Sequence, residues 1–313
     1  FVQLNDMDTV KCVCDRSVTK LGRVLTGEKK ELVFDWTNTG LAFHTIKPCK
    51  LLFVLNGFVR MNLQIDTEHT QMVSPSTTGM ILEINSDKDV IIRKVSEARS
   101  SKVTLIGLLE GEMSPTEVES LPHVEFVGDS LTSGYGNIGK SSEYETDGSQ
   151  TWCVEVAKYL NCSYQMCSWS GIGVIRNHDL TTHTHIGEVR KRVLATVPDY
   201  KYNRREWGAK YVVINIGTND YSHPVEDPEV FDRAFKESFM KLIKDCKDDY
   251  GMDCTLLIIS GPVMERQGPE VLKSVFEEAC TKYTHLFLLT CTLDFNDPSL
   301  WGYNQHPSVL GDK

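Results

Sequence analysis

Between about residue 22 and residue 110 the apolar positions alternate instead of recurring at helical spacing. The runs ELVFDW (31–36), GLAFHTI (40–46), LLFVLNG (51–57), VRMNLQID (59–66), GMILEIN (79–85), VIIRKVSE (90–97) and SKVTLIGLLE (101–110) follow one another. Each has strand length. Turn residues separate them, namely Asn38-Thr39-Gly40, Pro48, Asn56-Gly57, Pro75 and Gly79. Many short strands with no helical period predict an all-β sandwich. The stretch GEMSPTEVESLP (111–122) is polar and acidic, contains Pro115 and Pro122, and reads as an interdomain linker.

From residue 123 the rhythm changes. HVEFVG (123–128), SYQMCS (163–168), KYVVINIG (210–217), CTLLIISG (254–261) and HLFLLT (285–290) are short apolar runs. Amphipathic stretches lie between them: SQTWCVEVAKYL (149–160), PEVFDRAFKESFMKLIKDCKD (228–248) and PEVLKSVFEEACTKY (269–283). Strands alternating with helices predict βαβ units and a parallel sheet buried on both faces. The division is a β-sandwich domain over 1–112, a linker over 113–122 and an α/β domain over 123–313. A chain of 313 residues supports two domains on length alone.

Composition narrows the function classes. The chain is 41% hydrophobic and 24% charged, as ordinary globular proteins are, and its formal net charge is -10. An acidic chain lacks the basic face that nucleic acid or an anionic membrane would require, and no apolar run has the length of a membrane span. The chain begins at Phe1 rather than Met, which leaves room for a removed leader. Of the ten cysteines, Cys153, Cys167 and Cys291 sit inside apolar patterns as buried hydrophobes. Cys246 and Cys254 flank a helix-to-strand connection and could pair. The sequon Asn161-Cys162-Ser163 points to secretion, whereas the cysteine pattern is compatible with a cytoplasmic protein.

In open parallel sheets, ligands bind beyond the carboxyl ends of the strands. Those ends carry Gly128-Asp129-Ser130, Trp169-Ser170-Gly171-Ile172-Gly173, Gly217-Thr218-Asn219-Asp220 and, after the last strand, His306-Pro307. Together they supply what acyl transfer needs. A serine hydroxyl is a poor nucleophile without an adjacent base, and His306 could take the proton of Ser130 and return it to the leaving group. The backbone N–H groups of Ser130 and Gly171 and the side-chain amide of Asn219 could meet the oxyanion. Asp129 reads as a turn-stabilising side chain, Asp220 as a cap on the following helix, and Gly173 as a residue that shapes its loop.

GDSL at 128–131, Ser170-Gly171, GTND at 217–220 and the late His306-Pro307 resemble the four blocks of the SGNH (GDSL) hydrolases. The wording of GDSLTSGYGN (128–137), WSGIG (169–173) and QHPS (305–308) is similar to that of carbohydrate esterase family 2, as are LGRVL (21–25) and LVFDWTNTGLAF (32–43). The resemblance spans nearly the whole chain. It implies a jelly-roll sandwich followed by a flavodoxin-like SGNH domain. It also implies a serine esterase that removes O-acetyl groups from xylan or a related glycan without a cofactor. One position departs from most SGNH enzymes: Tyr303 stands where an aspartate would orient the histidine. The resemblance to carbohydrate esterase family 2 then implies a Ser130–His306 dyad, its imidazole held by a backbone carbonyl. Asp294 or Asp297 could instead fold back as a third member. His306 lies near the end of the sequence, where the family usually continues into a closing helix, so the chain reads as clipped there. The family favours secretion.

Other residues carry competing readings. Trp169, Trp301 and Tyr303 lie beside the blocks and could face sugar rings or simply pack. His178, His183 and His185 form one cluster and Cys12 and Cys14 another. Neither has the second half a metal site needs, so no metal is expected. The charges on 228–248 (Asp232, Arg233, Lys236, Glu237, Lys241, Lys244) read as a solvated helix face. Two other functions fit the same sequence. One is an SGNH esterase, lipase or thioesterase acting on a non-carbohydrate ester, and the other is a catalytically silent glycan-binding protein.

Overall fold

The computed structural model describes Val10, Lys11, Val13 and residues 16–116 and 121–313, which divide into two compact units. Cys12 and Cys14 lie outside the described residues.

The first unit takes the chain to residue 120 and adds 147–149 and 193–200. Its strands are β1 (Thr19–Leu21), β2 (Leu25–Thr26), β3 (Leu32–Phe34), β4 (Thr39–Gly57), β5 (Val59–Ile65), β6 (Glu68–Ser74), β7 (Thr78–Ile84), β8 (Lys88–Lys94) and β9 (Ser101–Pro115). They pair antiparallel in the order β2-β3-β9-β4-β8-β5-β6, with β1 and β7 also on β4. Alternate residues point inward: Phe34, Leu41, Phe43, Leu51, Phe53, Val90, Ile92, Val103 and Leu105 make the core.

Two sequence expectations change here. GLAFHTI and LLFVLNG are one long strand, β4, and Pro48 is not a turn. Its stretch bulges instead, with register shifts between Thr45 and Lys47 and between Lys47 and Lys50. A bulge tolerates proline because no ladder N–H is required there. Strand β9 runs on to Pro115, so 113–115 is strand and not linker. The two later segments join this unit through hydrogen bonds with no periodic signature. Trp36 Nε1 donates to Val193 O at 3.0 Å, and the buried Asp35 carboxylate accepts from Ala195 N at 2.7 Å and Thr196 N at 3.0 Å.

The second unit holds β10 (His123–Gly128), β11 (Ser163–Ser168), β14 (Tyr211–Asn215), β15 (Thr255–Ser260) and β16 (Leu286–Thr290) in one parallel sheet. The order β11-β10-β14-β15-β16 is the 2-1-3-4-5 pattern of flavodoxin-like sheets. A short hairpin, β12 (Arg192–Leu194) with β13 (Val197–Lys201), lies between β11 and β14 in sequence. The helices are α1 (Ser130–Ser133), α2 (Trp152–Tyr159), α3 (Ile186–Val189), α4 (Arg204–Trp207), α5 (Thr218–Tyr221), α6 (Pro228–Tyr250) and α7 (Gly268–Cys280). Helix α6 shows why this sequence is helical. Asp227 caps it by accepting from Val230 N at 3.1 Å, and Pro228 opens it. Phe235, Phe239, Leu242, Ile243 and Cys246 bury one stripe, and Arg233, Glu237, Lys241 and Lys244 are exposed on the other side. Cys246 and Cys254 are buried free thiols, and Cys291, at the end of edge strand β16, is only half-buried.

Candidate active site

Strand β10 ends at Gly128, where the chain must bend hard against its neighbour. A Cβ there would sit 2.0 Å from Thr132 Oγ1 and 2.7 Å from Asn215 O, so only glycine fits. Asp129 follows as the N-cap of α1, its Oδ1 accepting from Leu131 N at 3.0 Å. Ser130 is then the first helical residue, buried to 7% exposure. The bend is anchored sideways: Trp169 N donates to Gly128 O at 3.3 Å, and Ser133 Oγ donates to Ser168 Oγ at 2.8 Å.

His306 arrives by a different route. After β16 the chain runs through short 3-10 turns, tied down by Trp301 Nε1 to Asp294 O at 3.0 Å and Tyr303 N to Gly136 O at 3.0 Å. Asn304 and Gln305 both take left-handed backbone, at φ 50° and φ 59°. This double turn aims the Asn304 carbonyl at the His306 ring, with 2.9 Å between Nδ1 and O. A carbonyl can only accept, so Nδ1 carries the proton and Nε2 has its lone pair free. Nε2 lies 2.7 Å from Ser130 Oγ. Tyr135 lies against the imidazole at 4.8 Å between ring centres. Burial holds the His306 pKa below its usual 6.5, only partly opposed by the Asn304 and Tyr303 backbone bonds, which favours the neutral base.

Asp294 and Asp297 do not take part in this contact. Asp294 Oδ1 accepts from Asn296 N at 2.8 Å, and Asp297 Oδ1 accepts from Ser299 N at 2.9 Å and Ser299 Oγ at 2.6 Å. Each carboxylate stabilises its own turn, as aspartate does in loops.

The other two blocks close on one another. Gly171 takes φ +83°, a left-handed position suited to glycine. Asn219 is buried, and its Nδ2 donates to Ile172 O at 2.7 Å and approaches Asp129 Oδ2 at 3.3 Å. The second contact is long, so that N–H is the one an incoming anion could capture. Asp220 departs from the expected cap, a role taken by Asp227. Its fully buried carboxylate accepts from the backbone of Val174, Ile175 and Arg176. Burial pushes its pKa up to about 6 against the opposing pull of those donors.

Of the aromatic residues singled out in the sequence, Tyr303 lies beside Tyr135 at 6.0 Å between ring centres, and Trp301 stacks on the exposed Phe295 at 4.8 Å. Trp169 is half-buried at the end of β11. His178 pairs with His223 at 5.1 Å, not with His183 or His185. Sequence reasoning passed over Tyr135 and Asn304. The first was visible only as part of GDSLTSGYG, and the second acts through its main chain, so its side chain gave no signal.

The family model described as GDSL-like Lipase/Acylhydrolase matches residues 124–285. The chain is 29% identical over 238 residues to "Cellulase/esterase CelE" of Acetivibrio thermocellus, covering 70% of this chain and 28% of that protein. It is 30% identical over 149 residues to "Acetylxylan esterase / glucomannan deacetylase" of Cellvibrio japonicus, covering 45% of this chain and 41% of that one. The chain thus spans less than half the length of either relative. Its fold is similar to that of a family two carbohydrate esterase from Cellvibrio japonicus, with TM-score 0.83, 19% identity, and 96% and 92% of the two chains covered.

Proposed function

Since the chain belongs to the GDSL-like lipase/acylhydrolase family, we propose that it is a serine esterase that removes O-acetyl groups from a carbohydrate, with xylan or a related glycan as substrate. The observation that carries this reading is the 2.7 Å contact between Ser130 Oγ and the unprotonated Nε2 of His306. In the first step Nε2 accepts the hydroxyl proton as Ser130 Oγ attacks the acetyl carbonyl. The former carbonyl oxygen becomes an oxyanion, met by Ser130 N, Gly171 N and Asn219 Nδ2. Removing one such donor typically raises the barrier by about 3–4 kcal/mol. His306 returns its proton to the sugar oxygen, which leaves as the alcohol. Water, deprotonated by the same nitrogen, then attacks the acetyl carbon on Ser130, and the proton passes from Nε2 to Ser130 Oγ as acetate leaves.

Ser130 and His306 act as a dyad in this reading, with the Asn304 carbonyl in the orienting role. The names of the two curated relatives support the carbohydrate substrate, and so do the aromatic faces of Tyr303, Trp301 and Trp169 near the blocks. We infer further that the antiparallel unit is a jelly-roll domain, carried mainly by the chain up to Pro115, and that the parallel unit is the hydrolase domain, carried mainly by 123–313.

Acetate release from acetylated xylan and acetylated glucomannan, beside p-nitrophenyl acetate and octanoate, tests the assignment. Turnover of the acetylated glycans, abolished by Ser130→Ala, is the expected result. A preference for octanoate would reject the carbohydrate substrate. Hydrolysis surviving in Ser130→Ala would reject the nucleophile.

A further inference from the structure

We propose that Asp220 is a positioning residue that sets the width of the oxyanion pocket; the proposal rests on the serine esterase reading above. Asn219 and Asp220 are consecutive in α5, and both grip the loop that follows β11. Asn219 takes hold at Ile172 O. Asp220 takes hold two residues further on. Its Oδ2 accepts from Val174 N at 2.9 Å, and its Oδ1 accepts from Val174 N at 3.1 Å, Ile175 N at 2.8 Å and Arg176 N at 3.0 Å. Three successive main-chain donors converge on one carboxylate.

The loop is closed on itself as well. His178 N donates to Gly171 O at 2.9 Å, and Gly173 N donates to Asn177 Oδ1 at 2.8 Å. Arg176 returns the grip in the other direction: its Nη2 donates to the main-chain oxygen of Asp220 and, at 2.8 Å, to His223 O. Its guanidinium lies over Phe231 at 4.6 Å. Gly171 and Asn219, the two residues to which the proposed mechanism assigns oxyanion donors, therefore sit on two segments fastened by the neighbouring residue. A fully buried carboxylate is costly to keep unless its hydrogen bonds are satisfied, and here three main-chain donors of this loop satisfy it. Donors must be fixed before charge appears if they are to stabilise it, and a displacement of about 1 Å at such a site costs on the order of 100-fold in rate.

The test is Asp220→Asn, which keeps the shape but turns an amide NH2 toward N–H donors. Expected is a fall of about 10- to 100-fold in kcat on an acetyl ester, with KM changed less than threefold. Affinity for phenylboronic acid should fall in parallel. In its adduct the Ser130 oxygen donates its pair to boron, the hydroxyl proton passes to His306, and a boron-bound oxygen occupies the oxyanion position. A residue that only supported the fold would lower thermal stability without this split. Gly173→Ala supplies a second route, because its Cβ would meet Asp220 Oδ2 at 2.6 Å and Arg176 O at 2.0 Å while leaving the carboxylate in place. It should give the same kcat-weighted loss, and it carries the test if the first variant does not fold. A folded variant with wild-type kcat, or with its loss confined to KM, overturns the proposal. Failure of the esterase reading itself would show separately, as activity that Ser130→Ala does not remove in the otherwise wild-type chain.

Discussion

Ser130 and His306 meet at one hydrogen bond but are held by opposite means. Ser130 sits on a bend between a central strand and a helix, and packing from Gly128, Thr132 and Asn215 leaves that bend no room to move. His306 sits on a loop fastened by a few hydrogen bonds and shaped by two left-handed residues that are not glycine. The proposed nucleophile is thus positioned by the sheet, and the proposed base by local backbone geometry. The difference teaches that the same angstrom of precision can come from tight packing or from main-chain dihedrals, and that the two should fail differently.

The sharpest break is the removal of the proposed base. His306→Ala should lower kcat/KM by at least about 10⁴-fold on p-nitrophenyl acetate, because a serine without its base keeps only the oxyanion donors and binding. Its melting temperature should fall only slightly, since the ring packs against Tyr135 and not against either hydrophobic core. Next come two glycine variants, one on each side of the comparison. Gly128→Ala forces a Cβ against Thr132 and Asn215 O, so its main effect should be on stability, read as a large drop in melting temperature. Gly136→Ala places a Cβ 2.5 Å from Tyr303 Cβ at a left-handed position. It should push the His306 loop aside and cost roughly 10- to 100-fold in kcat, with a smaller change in melting temperature. Equal effects of the two glycine variants on both readouts would dissolve the comparison.

The smallest effect is expected from Asp294→Asn. Its carboxylate caps a local turn, so kcat/KM should stay within about twofold of wild type, whereas the loss of a true third triad member costs about 10⁴-fold. The pH profile gives the matching check. Burial lowers the His306 pKa, so the neutral base persists as pH falls, and the acid limb of kcat/KM should lie below 6.5. Asp294→Asn should leave that limb where it is. A shift in the variant would return Asp294 to the catalytic group.

The parallel sheet was legible because its strands are short apolar runs between helices of clear period, as with Phe235, Phe239, Leu242 and Cys246 in α6. Strand β6 was not, because Glu68–Ser74 is an exposed edge with no buried face to impose alternation. The hairpin β12–β13 was missed for a related reason: it is short, and its second strand is largely exposed. The proposed site residues Ser130, Gly171, Asn219 and His306 were singled out by the blocks they stand in. Asp220 was read as a cap because its four bonds reach a loop more than forty residues away, which no local pattern encodes.

The Asn304 carbonyl has a consequence for how this site would look to mutagenesis. A main-chain oxygen stays whatever side chain is attached, so an alanine scan across 294–306 would pass over the group that holds the imidazole and report a two-residue mechanism. What substitution at 304 can change is the torsion angle: asparagine and glycine tolerate φ near 50°, and β-branched residues resist it. The sequence there is constrained by conformation and not by chemistry. The informative perturbation is atomic, replacing the peptide bond after Asn304 by an ester, which weakens the carbonyl as an acceptor and leaves every side chain unchanged.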